Sequence, residues 1–181
     1  MLERGHHAED GSWYASARYS DDEQYRYRLM KTWYTASDPG GWHRPRWLNY
    51  IMLNPSTATE EVLDPTLRRC EGFARQFGYD GMIICNLFAL RATDPKVMLA
   101  HPEPVGAYND VELMDMAIMA GLFEEDVIVA WGTHGGHLDR GQQVLELLYR
   151  NGITPLYFGK TKGGHPKHPL YLKGDTVPAP A

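Results

Sequence analysis

The chain has 181 residues, of which 43% are hydrophobic and 23% charged, proportions that suit one folded domain with a true core. Its formal charge of -5 argues against a protein that coats nucleic acid regardless of sequence, and no apolar run reaches the ~20 residues of a membrane-crossing helix. The two cysteines, Cys70 and Cys85, stand outside any Cys-x-x-Cys pair, which excludes a zinc ribbon or a four-cysteine iron–sulfur cluster.

The first residues are polar, with Glu3, Glu9 and Asp10, and fit neither a secretory signal nor a transit peptide, so the cytoplasm is the expected compartment. Residues 1–24 read as an N-terminal extension. The aromatic-rich stretch 25–34 predicts a strand, with Asp38-Pro39-Gly40-Gly41 as the turn after it. A more apolar strand follows over 47–53. Asp64 and Pro65 read as the cap and first position of a helix. Leu67, Cys70, Phe73, Ala74 and Phe77 then recur at helical spacing, and Gly78 ends the run.

Short buried strands are expected over 81–85, 127–130 and 155–158. Helices are expected over 110–123, with Val111, Met114, Ile118 and Leu122 on the inward stripe, and over 140–150, built on Val144, Leu147 and Leu148. Asp94-Pro95 reads as another helix cap. From Gly174 onward, with Pro178 and Pro180, a flexible tail is expected. Apolar strands alternating with amphipathic helices predict a single α/β domain over 25–173, a three-layer α/β/α arrangement around a mainly parallel sheet.

In such sheets ligands bind beyond the carboxyl ends of the strands, where the polar motifs of this chain fall. Asn54-Pro55-Ser56-Thr57 follows one strand and Asn86-Leu87-Phe88 the next. Trp131-Gly132-Thr133-His134-Gly135-Gly136-His137 and the run from Gly159 to Leu170 follow the last two. Asn54 alone reads as a turn residue, or as an amide that orients water. Asn86 ends a wholly apolar strand, where its amide is either satisfied by backbone or reads a ligand edge offering one donor and one acceptor. Arg91 could hold a phosphate or pair with Asp94.

His134 and His137 lack a clustered third ligand, and no phosphate-loop or dinucleotide fingerprint follows a strand, so no metal and no cofactor is expected. Lys160, Lys162, Lys167 and Lys173, with His165 and His168, form a basic patch that by charge alone is a solvated tail. His165-Pro166 and His168-Pro169 after a Gly-Gly hinge make a stiff loop that can present an imidazole to a developing anion.

The stretches Met52–Ala58, Asp64-Pro65-Thr66 with Arg68-Arg69-Cys70, Asn86–Pro95 and His165–Leu172 resemble the signature of a bacterial and phage family long described only as a domain of unknown function. That family is associated with the uracil-DNA-glycosylase superfamily and with 5-hydroxymethyluracil. The resemblance covers residues 25–172. Leu53-Asn54-Pro55-Ser56 is similar to the Gly-Ile-Asn-Pro-Gly motif of the mismatch-specific branch, whose Asn positions the water. Asn86 matches the strand-end Asn that reads the pyrimidine edge. His-Pro-Lys-His-Pro-Leu resembles the His-Pro-Ser-Pro-Leu loop whose His supports the leaving base, one residue longer, so His165 or His168 is the counterpart.

The resemblance implies a uracil-DNA-glycosylase-like fold and a monofunctional glycosylase that flips a modified uracil out of DNA and hydrolyses its glycosidic bond. Asn54 with His168 or His165 would be catalytic. Asn86, Pro55 and Ser56 would hold the base, with Phe88, Trp131 or Tyr171 stacking on it. Arg91, Lys160, Lys162 and Lys167 would hold phosphates. The partner is DNA carrying a damaged or modified pyrimidine, met by a monomer away from any membrane. Two other readings stand beside it: a hydrolase or transferase acting on a free modified pyrimidine nucleoside or nucleotide, and a non-catalytic module that recognises a modified base.

Overall fold

A computed structural model describes residues 1–33 and 44–181. In chain order these form β1 (Leu2–His7), β2 (Tyr14–Tyr19), β3 (Arg26–Thr32), β4 (Trp47–Met52), α1 (Pro65–Gln76), β5 (Gly81–Asn86) and α2 (Pro95–Ala100). They continue as α3 (Asn109–Leu122), β6 (Val127–Val129), α4 (Arg140–Arg150), β7 (Leu156–Tyr157) and β8 (Ala179–Pro180). Short 3-10 turns lie at Thr133–Asp139 and Pro169–Tyr171. The turn expected at Asp38–Gly41 lies outside the described residues.

The strands make one sheet in the order β1-β2-β3-β5-β4-β6-β7-β8. Its centre, β5-β4-β6-β7, is parallel, and both flanks are antiparallel. The expectation of a mainly parallel sheet therefore holds for the centre, and the whole is mixed. Strand alternation sends Leu48, Tyr50, Met82, Ile84 and Ile128 to one face, where they pack on Leu67, Cys70, Phe73 and Ala74 of α1. Ile51, Cys85, Val127 and Val129 face the other way, onto Leu113, Met116 and Ala117 of α3 and Val144 and Leu148 of α4. Helices thus cover both faces of the sheet. Both cysteines are free, buried thiols, and burial pushes Cys85 up to about 12.

The caps read in the sequence form: Asp64 accepts from Leu67 N at 2.8 Å, and Asp94 from Lys96 N at 2.9 Å. Three expectations change. Residues 1–24, read as an extension, supply β1 and β2 to the sheet; their signal is weak because β1 is largely exposed and β2 buries small residues, Ala15, Ser16 and Ala17. The tail expected to be flexible returns to the sheet, Ala179 and Pro180 pairing with β7. In α3 the inward stripe is Asn109, Glu112, Leu113, Met116, Ala117 and Ala120, while Val111, Ile118 and Leu122 are exposed. The buried Glu112 decides that rotation, because Arg18 at 3.0 Å and Arg28 at 3.5 Å draw it onto the sheet.

Candidate functional site

A cavity of about 710 Å³ opens beyond the carboxyl ends of β4, β5 and β6. Arg26, Met52, Ile84 and Asn86 are buried and form its closed end, whereas Thr133, His134, Lys167 and Tyr171 are exposed at its rim. The loops after β4, β6 and β7 complete the wall. The motifs that follow four separate strands in sequence thus meet in one place, as the parallel arrangement requires.

Asn54, Pro55 and Ser56 line the cavity. The Asn54 amide nitrogen donates to Ala92 O at 2.8 Å and Pro55 O at 3.1 Å. These carbonyls fix which end of the amide is nitrogen, so Oδ1 is the end left to accept; no donor reaches it among the described residues. Pro55 O accepts from Ala92 N at 2.9 Å, and Ser56 Oγ donates to Asp64 Oδ2 at 2.6 Å, locking the loop against the start of α1.

Asn86 is 3% exposed, and its side chain has no hydrogen-bond partner among the described residues. Its polar atoms open onto the cavity, where they are available to a ligand that offers the complementary donor and acceptor. Its backbone is held firmly: Asn109 Nδ2 donates to Asn86 O at 3.0 Å and Leu87 O at 2.9 Å, and Arg140 Nε donates to Leu87 O at 2.9 Å. Neither Asn109 nor Arg140 stands out in the sequence. Each lies on a helix, and its role depends on where that helix starts against β5.

The structure separates the two histidines. His168 lines the cavity, and its Nδ1 accepts from Leu170 N at 3.4 Å. Burial lowers its pKa from the ordinary 6.5, with Asp64 pulling the other way. A neutral ring whose Nδ1 accepts carries its proton on Nε2, which has no acceptor among the described residues. His165 does not line the cavity; its carbonyl and amide are tied to Thr161.

The aromatics separate as well. Phe88 is 0% exposed, part of the core under α3, with its ring 5.6 Å from that of His137, and it is removed from the stacking candidates. Trp131 lines the cavity, and a Cβ at Gly135 would stand 2.0 Å from its indole, so glycine at 135 is what lets the ring lie there. Tyr171, 85% exposed, borders the rim.

Arg91 is not free for a phosphate. It donates to Glu23 O at 3.1 Å and Thr57 O at 3.0 Å and lies 5.2 Å over the Tyr19 ring, so it ties loops together. Nor does it pair with Asp94, which caps α2. Lys167 is on the cavity wall. Lys160 lies over the Tyr157 ring at 5.0 Å, and Lys162 is exposed on the same loop; neither lines the cavity. Two further wall residues are Asp64, read in the sequence only as a cap, and Arg26, read only as part of a strand. No group of three or more His, Cys, Asp or Glu side chains placed to hold a metal occurs among the described residues.

A family model described as "Protein of unknown function (DUF1643)" matches residues 26–170. Neither a curated protein nor a solved structure matches the chain. The family match runs from the start of β3 into the 3-10 turn at Pro169–Tyr171, and takes in the cavity wall except Tyr171 and Leu172.

Proposed function

The chain belongs to the DUF1643 family, and we propose that it is a DNA glycosylase that flips a modified uracil, 5-hydroxymethyluracil above others, into this cavity and hydrolyses its N-glycosidic bond. The observation that carries the reading is Asn86, a buried amide with one free donor and one free acceptor on a cavity wall. A uracil-type base offers the complement, N3–H for Oδ1 and O4 for Nδ2. The motif resemblance to the uracil-DNA-glycosylase superfamily, and a parallel-centred α/β fold compatible with it, support the same assignment.

The chemistry follows from the wall. Flipping costs a few kcal/mol, less for a poorly stacked base. Trp131 or Tyr171 stacks on the base. As the C1′–N1 bond breaks, its electron pair passes to the base, and His168 Nε2–H donates to the oxygen where the charge gathers. Such a preorganised donor is worth roughly 3–4 kcal/mol. Asn54 Oδ1 accepts a hydrogen bond from the water that adds to C1′, and the proton that water sheds ends on the departed base anion, leaving a neutral free base and an abasic sugar.

The test is a gel assay on oligonucleotides carrying 5-hydroxymethyluracil, uracil or thymine. Alkali-labile strands from 5-hydroxymethyluracil are expected, with much less from uracil, because a pocket that hydrogen-bonds a hydroxyl rejects the analogue lacking it. Equal cutting of uracil would remove the specificity and leave the class. Binding without any abasic product would leave a recognition module. Strand breaks without alkali would assign lyase chemistry to Lys167, the lysine on the wall. One observation favours a second reading, an enzyme of free pyrimidine nucleotides. Of the four side chains expected on phosphates, only Lys167 reaches the cavity, and the net charge is -5.

A further inference from the structure

A guanidinium at 2% exposure ordinarily faces a carboxylate, because an uncompensated ion in a low-dielectric interior is costly. Arg26 has no carboxylate within ion-pair distance among the described residues. One terminal nitrogen donates to Ala58 O at 2.6 Å. The Tyr19 hydroxyl lies beside it, and that hydroxyl donates to Glu60 Oε2 at 2.6 Å. A guanidinium carries five N–H groups, so donors remain. Arg26 lines the closed end of the cavity with Asn86.

The fold aims it there by a bulge. Between β2 and β3 the register shifts at Arg18/Tyr19, so Arg28 opposes Arg18, Arg26 opposes Tyr19, and Tyr27 has no partner. The extra residue breaks the alternation of β3. Arg28 turns toward Glu112 on α3, and Arg26 takes the opposite face, shared with Leu29 and Tyr19.

We infer that Arg26 is the cavity's anion-reading residue, so that within the modified-pyrimidine class proposed above the tighter ligand carries, in place of the neutral 5-hydroxymethyl group, an ionised oxygen group, a carboxylate or a phosphate, on the end that enters first. The identity of the rest of that ligand, a pyrimidine, rests on the reading of Asn86 given above. The backbone phosphates of a flipped nucleotide stay at the rim, near Lys167 and Tyr171. The group that reaches Arg26 is therefore a carboxylate on the base or the phosphate of a free mononucleotide.

Titration calorimetry of the whole chain with uracil, 5-hydroxymethyluracil, 5-carboxyuracil and uridine monophosphate tests this. An ionised probe should bind on the order of ten- to a hundredfold more tightly than uracil, the scale of a charge-assisted hydrogen bond. Preference for 5-carboxyuracil identifies the base substituent, and preference for the monophosphate identifies the free nucleotide. Arg26→Met should level the preference, and Arg26→Lys, which keeps the charge, should retain part of it. Asn86→Ala should weaken all pyrimidines alike. A preference for anions that survives Arg26→Met, or 5-hydroxymethyluracil or uracil binding as well as both ionised probes, overturns the inference and leaves the pyrimidine reading intact. Anion binding lost in Arg26→Met but untouched in Asn86→Ala upholds Arg26 and overturns the pyrimidine reading. Failure of all four probes to bind overturns both.

Discussion

The two ends of the parallel strands are built on opposite rules. At the amino ends polar side chains bond to groups of the protein itself. Asn49, 1% exposed, donates to Asp126 O at 3.2 Å and to Glu125 Oε2 and Trp47 O at 3.4 Å. Asp80 accepts from Arg46 N at 2.9 Å, and Arg46 lies 4.9 Å over the Tyr79 ring. At the carboxyl ends Asn86 has no side-chain partner, Asn54 uses only its nitrogen, and Arg26 has donors to spare. Burial is similar at Asn49 and Asn86, so burial alone does not separate a structural amide from one that waits for a ligand. What separates them is that the Asn49 amide nitrogen donates to three oxygens of the protein, whereas the Asn86 amide donates to none among the described residues.

The largest test of that contrast is kinetic. On the proposed glycosylase, His168→Ala should lower the rate on the order of a hundredfold or more while the protein still binds DNA, since the donation to the departing base strengthens in the transition state. His165→Ala, outside the cavity wall, should change little. Single-turnover rates beside binding isotherms decide it, and the reverse ranking would break the assignment of the two histidines. Asn54→Ala should also lower turnover, with an added loss of about 1 kcal/mol in stability, because Ala92 O loses a donor.

Next in size is a stability comparison between the two ends. Asn49→Leu should cost about 1–3 kcal/mol, because Glu125 Oε2 loses the amide as donor and Asp126 O keeps only the Asn49 backbone N–H. Asn86→Leu removes no intramolecular bond, so its denaturation midpoint should stay level or rise, while pyrimidine binding is lost. Equal destabilisation by both would show that Asn86 is a structural amide after all, and would remove the main support for the proposed function.

The same contrast explains what the sequence makes legible. Strand ends, helix caps and the convergence of four loops follow from local patterns, and the structure places Asn54, Asn86, Trp131 and His168 around one cavity as those patterns require. Whether Asn86 is filled or free depends on what neighbouring strands bring near it, and no periodicity encodes that. Arg26 was hidden because its orientation comes from a bulge in pairing with β2, a strand whose Ala-Ser-Ala centre gives almost no apolar signal. Arg91 misled for the opposite reason. Its sequence position beside Asp94 is right for the site edge, but its guanidinium ends on the carbonyls of Glu23 and Thr57, far apart in the chain.

A smaller effect is expected among the lysines of the loop after β7. Lys167→Ala should weaken DNA binding alike on all sequences and lower the salt slope by about 1, as for one phosphate contact. Lys162→Ala, off the cavity wall, should weaken it less. Affinities measured across a salt series decide between them, and an identical loss for both would mean that DNA tracks the whole loop rather than the cavity mouth.

The smallest effect is the titration of His168, and its sign follows from the direction of its shift. Burial lowers the folded-state pKa below the ordinary 6.5, so the folded chain takes up this proton less readily than the unfolded chain. Its contribution to stability is therefore full above pH 6.5 and declines as the pH falls from there toward the lowered value. Protonation at Nδ1 would also end the acceptance from Leu170 N that caps the turn at Pro169–Tyr171. Denaturation midpoints taken above and below pH 6.5 should thus show an acid loss in the parent that is reduced in His168→Gln. Nitrogen NMR should find the neutral ring protonated on Nε2. A ring that titrates above 6.5, or one protonated on Nδ1, would leave no neutral donor aimed at a departing base and would take His168 out of the proposed chemistry.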